Sequence, residues 1–227
     1  MNRKAVRNHD GGMYLSVPVP VPADGVFSHS ATAPVLHLLA DNPETAFTNR
    51  ELHRLTGKGM GNINGAVEAL EALGVATVDR DGRANQVRID TTKLATPDDP
   101  VTAIPQGEFH DPVRAVLTHL RERVGEETGV VLFGSVARGN ADRTSDIDLL
   151  VIVEDDRMAA QREAHGIEDE VASRRFDGDR YECHIVVETR DSAVRRDEMR
   201  DILVEGLTLR ESPALNAVKK EVFADGA

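Results

Sequence analysis

The chain predicts an α/β fold in two units, a small helical one ending in a β-hairpin and a larger one in which short apolar strands alternate with helices. Three observations predict it. The apolar run Val130-Val131-Leu132-Phe133 ends on Gly134-Ser135, and Asp146-Ile147-Asp148 opens a second run, Leu149–Val153, so two strands frame a turn. Helical periodicity surrounds them, with Val113, Val116, Leu117 and Leu120 on one face before the first strand. Upstream, three helical stretches precede two strands joined through Asp81-Gly82, a strong hairpin signal.

In chain order, residues 1–29 read as an extended arm or edge strand, because the alternating run Val17–Pro22 fixes φ and removes ladder donors. The front unit spans 30–92. Its first helix covers Ala33–Ala40, with Pro34 suited to the first turn and Val35, Leu38 and Leu39 on one side. A second starts at Thr48, which forms a capping box with Glu51, places Leu52 and Leu55 inward and stops near Gly57. A third, about Gly61–Leu73, aligns Ile63, Val67 and Leu70 and ends before Gly74. The hairpin strands are Val75–Asp79 and Ala84–Ile89.

Residues 93–109 carry Pro97, Pro100 and Pro105 and read as a linker. In the unit over 110–227, Asp111 is expected to cap a helix starting at Pro112. A polar helix over about Arg157–Phe176 has only the narrow stripe Ile167 and Val171, with Arg162 and Glu163 on a solvated face. Then come a strand, Tyr181–Glu188, a helix over Arg190–Asp201 and a short tail helix with Leu215, Val218 and Val222.

At 227 residues with 40% hydrophobic content, the chain can bury a substantial core and is not a disordered tail. The single cysteine, Cys183, excludes an intrachain disulfide framework and a cysteine-rich zinc site. No stretch approaches the length of a membrane-spanning helix, and Met1-Asn2-Arg3-Lys4 leads into polar residues, so a cytoplasmic setting without membrane contact is expected. The net charge of −12 falls wholly on residues 96–227, since residues 1–95 hold ten basic and ten acidic residues. Only the front half suits a nucleic acid. Five lysines among 27 basic residues, with so acidic a balance, are similar to the composition of salt-loving archaeal proteins, although ordinary cytoplasmic proteins are also often acidic.

The Gly134-Ser135 turn brings backbone N–H groups and one hydroxyl within reach of phosphate oxygens, because glycine presents no side chain and a helix start favours an anion. Asp146 and Asp148, one residue apart on a strand, share a face while Ile147 turns inward. Two such carboxylates suit Mg²⁺, which takes one or two carboxylates plus substrate phosphates. A calcium loop is excluded, because Leu150 and Val151 stand where a further oxygen ligand and a glycine are needed.

The stretch from Gly134 to Val151, with its Gly-Ser turn, Ala137-Arg138-Gly139 continuation and Ser145-Asp146-Ile147-Asp148-Leu149 block, resembles the signature of the polymerase-β-like nucleotidyltransferase superfamily, in particular its minimal nucleotidyltransferase branch. The resemblance implies a core with a mixed β-sheet flanked by helices. It also implies transfer of a nucleoside monophosphate, AMP from ATP, to an acceptor hydroxyl. Asp146 and Asp148 would hold two Mg²⁺ ions, and Gly134, Ser135, Arg138 and Ser145 would contact substrate. Arg138 has an alternative, a surface pair with Asp142.

Members of that superfamily usually add a third carboxylate from the next strand. Here Glu182, His184, Val186 and Glu188 share one face of the strand, and Tyr181, Cys183, Ile185 and Val187 the other. The superfamily's acidic position falls on His184, whereas the chemistry asks for Glu182 as third metal ligand, so either completes the site. If neither does, the domain binds nucleotide without turnover. Cys183 reads as a small buried residue rather than a nucleophile, since no histidine shares its face.

Three helices followed by a hairpin resemble a winged helix-turn-helix domain. That resemblance nominates Lys58, Asn62 and Asn64 on the third helix, and Arg80, Arg83 and Arg88 on the wing, for DNA contact. Protein docking is the other use of such a unit, and Gly59, Gly61 and Gly65 weaken the third helix. The expected partners are a nucleoside triphosphate, DNA and a partner toxin protein, and a homodimer is compatible with the reading. The competing function is a transcriptional regulator whose transferase fold senses nucleotide.

Overall fold

The computed structural model describes residues 13–17, 27–95 and 98–224. The proline-alternating segment beyond Val17 and Pro97 lie outside these residues. Of the expected arm, β1 (Tyr14–Leu15) pairs antiparallel with β5 (Leu94–Ala95).

The front unit contains α1 (Thr32–Asp41), β2 (Phe47–Thr48), α2 (Asn49–Thr56), α3 (Met60–Ala72), β3 (Ala76–Asp79) and β4 (Gln86–Ile89). The strands form a sheet in the order β2-β4-β3. The local signals act where expected. The Glu51 amide donates to Thr48 Oγ1 at 3.2 Å while the Thr48 amide donates to Glu51 Oε2 at 2.6 Å. Gly57 closes the helix in the left-handed conformation, φ 66°. Gly65, which weakens α3 by propensity, has a packing reason: the His29 ring lies where its Cβ would stand.

The larger unit contains α4 (His110–Arg123), β6 (Gly129–Phe133), α5 (Gly134–Ala137), β7 (Ile147–Val153), α6 (Arg157–Ser173), β8 (Cys183–Thr189), α7 (Arg190–Ala193), α8 (Met199–Glu205), β9 (Leu207–Arg210) and α9 (Pro213–Ala224). Its sheet runs β8-β7-β6-β9, with β7 and β8 parallel and the other neighbours antiparallel, which is the expected mixed sheet. Both faces are covered. Leu132, Ile147, Leu149, Val151, Ile185 and Val187 pack with α4 and α6. On the opposite face, Val131, Leu150 and Ile152 join α8, α9 and the apolar residues of the front unit in one cluster. That double burial is why Leu149–Val153 of β7 reads as an unbroken apolar run.

Three local expectations are corrected. The helix at 110 starts at His110 behind Phe109, because a 3-10 turn (Gly107–Phe109) runs straight into it, and Asp111 pairs with Arg114 inside the first turn instead of capping. The single helix expected over 190–201 is broken into α7 and α8, because Thr189 and Ser192 cap a short first piece and Arg196 is drawn to the buried Glu188. Ile202–Glu205 consequently end a helix, and Leu207–Arg210 form the last strand of the sheet. The stretch read as a linker also contributes to the core: Val101, Ile104 and Phe109 are buried in one cluster with Val113, Val116 and Leu120 of α4, and Pro100 opens the 3-10 turn that carries Val101.

The outer edge of β8 is covered by side chains rather than by another strand. Arg157 Nε donates to Val187 O at 2.8 Å, Gln161 Nε2 to Ile185 O at 3.2 Å, and the amides of Val187 and Ile185 donate to Gln161 Oε1 and Glu168 Oε1. Spaced four and seven residues apart on α6, these side chains satisfy the ladder groups of the edge and oppose edge-to-edge association.

Candidate active site

The site sits where β6, β7 and β8 end together. Phe133 pairs with Asp148 across β6 and β7, so the turn after Phe133 begins beside the carboxylate. Gly134 adopts φ +75°, and a Cβ built there would run into Asp148 Oδ2 and lie 3.2 Å from its Cγ. Only glycine accepts both the backbone and the approach. Ser135 and Val136 continue into α5, whose N-cap, Phe133, supplies no side-chain cap and so leaves leading N–H groups for another acceptor.

Asp146 is exposed and Asp148 half-buried. Burial raises the Asp148 carboxyl above its usual range, the nearby Asp146 adds to the rise, and His184 and Arg138 oppose it. Two oxygen-donor carboxylates that repel one another are the donor set a hard divalent cation relieves, so the pair fits Mg²⁺. Among the described residues, however, no three His, Cys, Asp or Glu side chains are grouped to hold a metal ion. The expected trio of Asp146, Asp148 and Glu182 is therefore not preassembled.

The parallel register puts His184 directly beside Asp148, while the Ile147 amide donates to Glu182 O at 3.0 Å, which sets Glu182 alongside Asp146. Both Glu182 and His184 are exposed. His184 Nδ1 lies 4.0 Å from Glu168 Oε1 of α6. The fourth residue of that face, Glu188, is instead buried and held by Arg196 at 2.7 Å and Arg157 at 3.0 Å. Burial alone would raise its pKa, but Ser192, Arg196 and Arg157 outweigh burial and hold it below the ordinary carboxylate range.

Residues 113–207 match the family model of the nucleotidyltransferase domain. The match runs from α4 to the start of β9 and so contains the turn, both aspartates and β8. It supports nucleotidyl transfer as the chemistry of this part of the chain. No curated protein and no solved structure matches the chain.

Within the matched segment, Arg138 stands at the end of α5 and pairs with Glu205 at 3.2 Å, not with Asp142. Asp142 is occupied by its own turn: its carboxylate accepts from the Thr144 amide and from the Thr144 and Ser145 hydroxyls, and its amide donates to Ser145 Oγ at 2.9 Å. Ser145 thus shapes the loop entering β7. Cys183 lies on the opposite face, toward Tyr181 and the core; burial, then Glu168 and Asp146, push its thiol up to about 12.

Outside the matched segment, Asn62, Arg83 and Arg88 are exposed and Lys58 is half-buried. Asn64 accepts a hydrogen bond from Asn49, and Arg80 donates twice to Glu71 at 2.6 Å. No helix among the described residues is long and apolar enough to cross a membrane.

Two residues escaped the sequence reading, Glu168 and Glu205. The first could have been found from the spacing of Arg157, Gln161 and Glu168 along one helix face. The second carries no local signal, because its partner lies 67 residues away.

Proposed function

We propose that the protein transfers a nucleoside monophosphate, AMP from ATP, to an acceptor hydroxyl, releasing pyrophosphate. The observation that carries the reading is the contact of Gly134 with Asp148, which joins a phosphate-binding turn to a metal-binding carboxylate. The leading amides of α5 and the Ser135 hydroxyl bind the terminal phosphates, and Arg138 neutralises the leaving pyrophosphate. Asp146 and Asp148 hold Mg²⁺, which supplies charge neutralisation at the phosphates and activation of the attacking oxygen when bound. Glu182 or His184 takes the proton of the acceptor hydroxyl.

The order helix, strand, helix, helix, hairpin supports a winged helix-turn-helix in front, with boundaries 30–92, an arm before it and the transferase unit from 110. With Arg80 and Asn64 already partnered, Asn62, Lys58, Arg83 and Arg88 are the groups proposed to meet DNA or a partner protein such as a toxin. The acidic, lysine-poor composition favours a cytoplasm rich in salt.

The second reading, a regulator that binds nucleotide without transfer, is favoured by one observation: an imidazole, not a carboxylate, stands in register with Asp148. Incubation of the purified protein with labelled ATP, Mg²⁺ and host lysate at high salt separates the two. Label transfer that disappears in Asp146→Ala and Asp148→Ala supports the enzyme. Absence of transfer, together with nucleotide-dependent promoter binding, establishes the regulator instead.

A further inference from the structure

Glu205 and Gly206 are consecutive residues whose contacts run in opposite directions. Glu205, the last residue of α8, pairs with Arg138 at the end of the phosphate turn. Gly206 accepts a hydrogen bond from His37 Nε2 of α1 at 3.1 Å, through its carbonyl. We infer that occupancy of the phosphate turn by a nucleotide is communicated to the front helical unit through this junction. The inference rests on the reading that Arg138 meets the nucleotide's phosphates.

The Arg138–Glu205 pair is suited to exchange. Its side chains are 47% and 58% exposed, and a solvent-exposed pair of this kind is weakly held. A polyphosphate brings more charge and bidentate geometry to the same guanidinium and displaces the carboxylate. Two states are thereby defined, one with Arg138 on Glu205 and one with Arg138 on phosphate and the end of α8 released.

The far side of the junction is packed tightly enough to pass a shift on. A Cβ at Gly206 would lie 2.5 Å from Ile202 O and 2.6 Å from Val131 Cγ1, so the backbone passes close against α8 and the sheet there. Helix α8 also packs on α2. Two residues on, the Thr208 amide and hydroxyl donate to the Asp41 carboxylate at the end of α1, at 2.8 and 2.6 Å. A movement of residues 205–208 therefore reaches α1 at both His37 and Asp41. By reciprocity, whatever occupies the front unit alters nucleotide affinity by the same factor.

The test uses the full chain, a non-hydrolysable ATP analogue with Mg²⁺, calorimetry for binding and amide hydrogen exchange for the front unit. In the natural protein the analogue changes exchange across residues 32–72. Glu205→Gln, which removes the competing charge, tightens analogue binding about two- to fivefold. His37→Ala keeps analogue affinity within about twofold but reduces the exchange change, since only the Thr208–Asp41 route remains, and His37→Gln, which retains an N–H donor, restores it. Analogue binding without any exchange change in 32–72 overturns the coupling while leaving the site reading intact. Unaltered transmission in a folded His37→Ala variant also overturns it. Failure of the natural protein to bind the analogue overturns both readings together.

Discussion

Gly134 and Asp148 touch: the turn that leaves β6 has no room for a side chain because the carboxylate of the neighbouring strand stands there. Gly134→Ala must therefore displace Asp148 and also hold a left-handed backbone, itself costing about 1–2 kcal/mol. The expected result is nucleotide affinity weakened by at least about tenfold, equivalent to ~1.4 kcal/mol. Calorimetric titration with ATP and Mg²⁺ measures it, and unchanged affinity would remove the contact from the argument.

At the third position, Glu182→Gln and His184→Ala divide the two candidates, since only the participant in proton transfer should cost about a hundredfold or more in turnover with little change in nucleotide affinity. Equal small effects of both variants would sink the transfer mechanism.

Lys219 is buried and donates to Asp41 Oδ2 at 3.4 Å, Thr208 Oγ1 at 2.8 Å and Glu211 Oε1 at 3.2 Å. Lys219→Met leaves Asp41 buried without its cation, so chemical denaturation should show a loss of about 3–5 kcal/mol. The double variant Lys219→Met with Asp41→Asn should recover part of this. No recovery would mean that packing, not charge pairing, is what the lysine supplies.

Glu188 contributes stability through its depressed pKa. The sign follows from linkage: a carboxylate whose folded pKa lies below the unfolded value of about 4.3 stabilises above that pH, and the contribution disappears as pH falls through the folded value. Unfolding midpoints measured from pH 6 to pH 3 should fall less steeply in Glu188→Gln than in the natural protein. Parallel curves would exclude the Arg157-Glu188-Arg196 cluster as an acid-sensitive element.

Cys183, with its thiol pushed up to about 12, should resist alkylation at pH 8 in the folded protein and react promptly once denatured. Rapid labelling of the native state by a thiol-specific reagent, followed by mass spectrometry, would contradict its half-buried, protonated state.

Much of the architecture was legible because its signals are local. Thr48 and Glu51 are three residues apart and cap their own helix; Gly57 ends it with its own φ. Asp146 and Asp148 share a face because strand geometry alternates, whatever surrounds them. The expected helix over 190–201 divides for a reason of the opposite kind, since Arg196 reaches Glu188 on β8 at 2.7 Å, closer than its near neighbour Glu198 at 3.4 Å.

The sequence by itself determined the α/β order of elements, the Gly134-Ser135 turn with its paired aspartates and the ambiguity between Glu182 and His184, because each rests on contacts within a few residues. Tertiary structure alone decided that His184 lies in register with Asp148, that Arg138 turns to Glu205, and that Lys219 is buried against Asp41. These depend on strand register and on helices brought together from opposite ends of the chain, and charge attracts whichever partner the packing delivers.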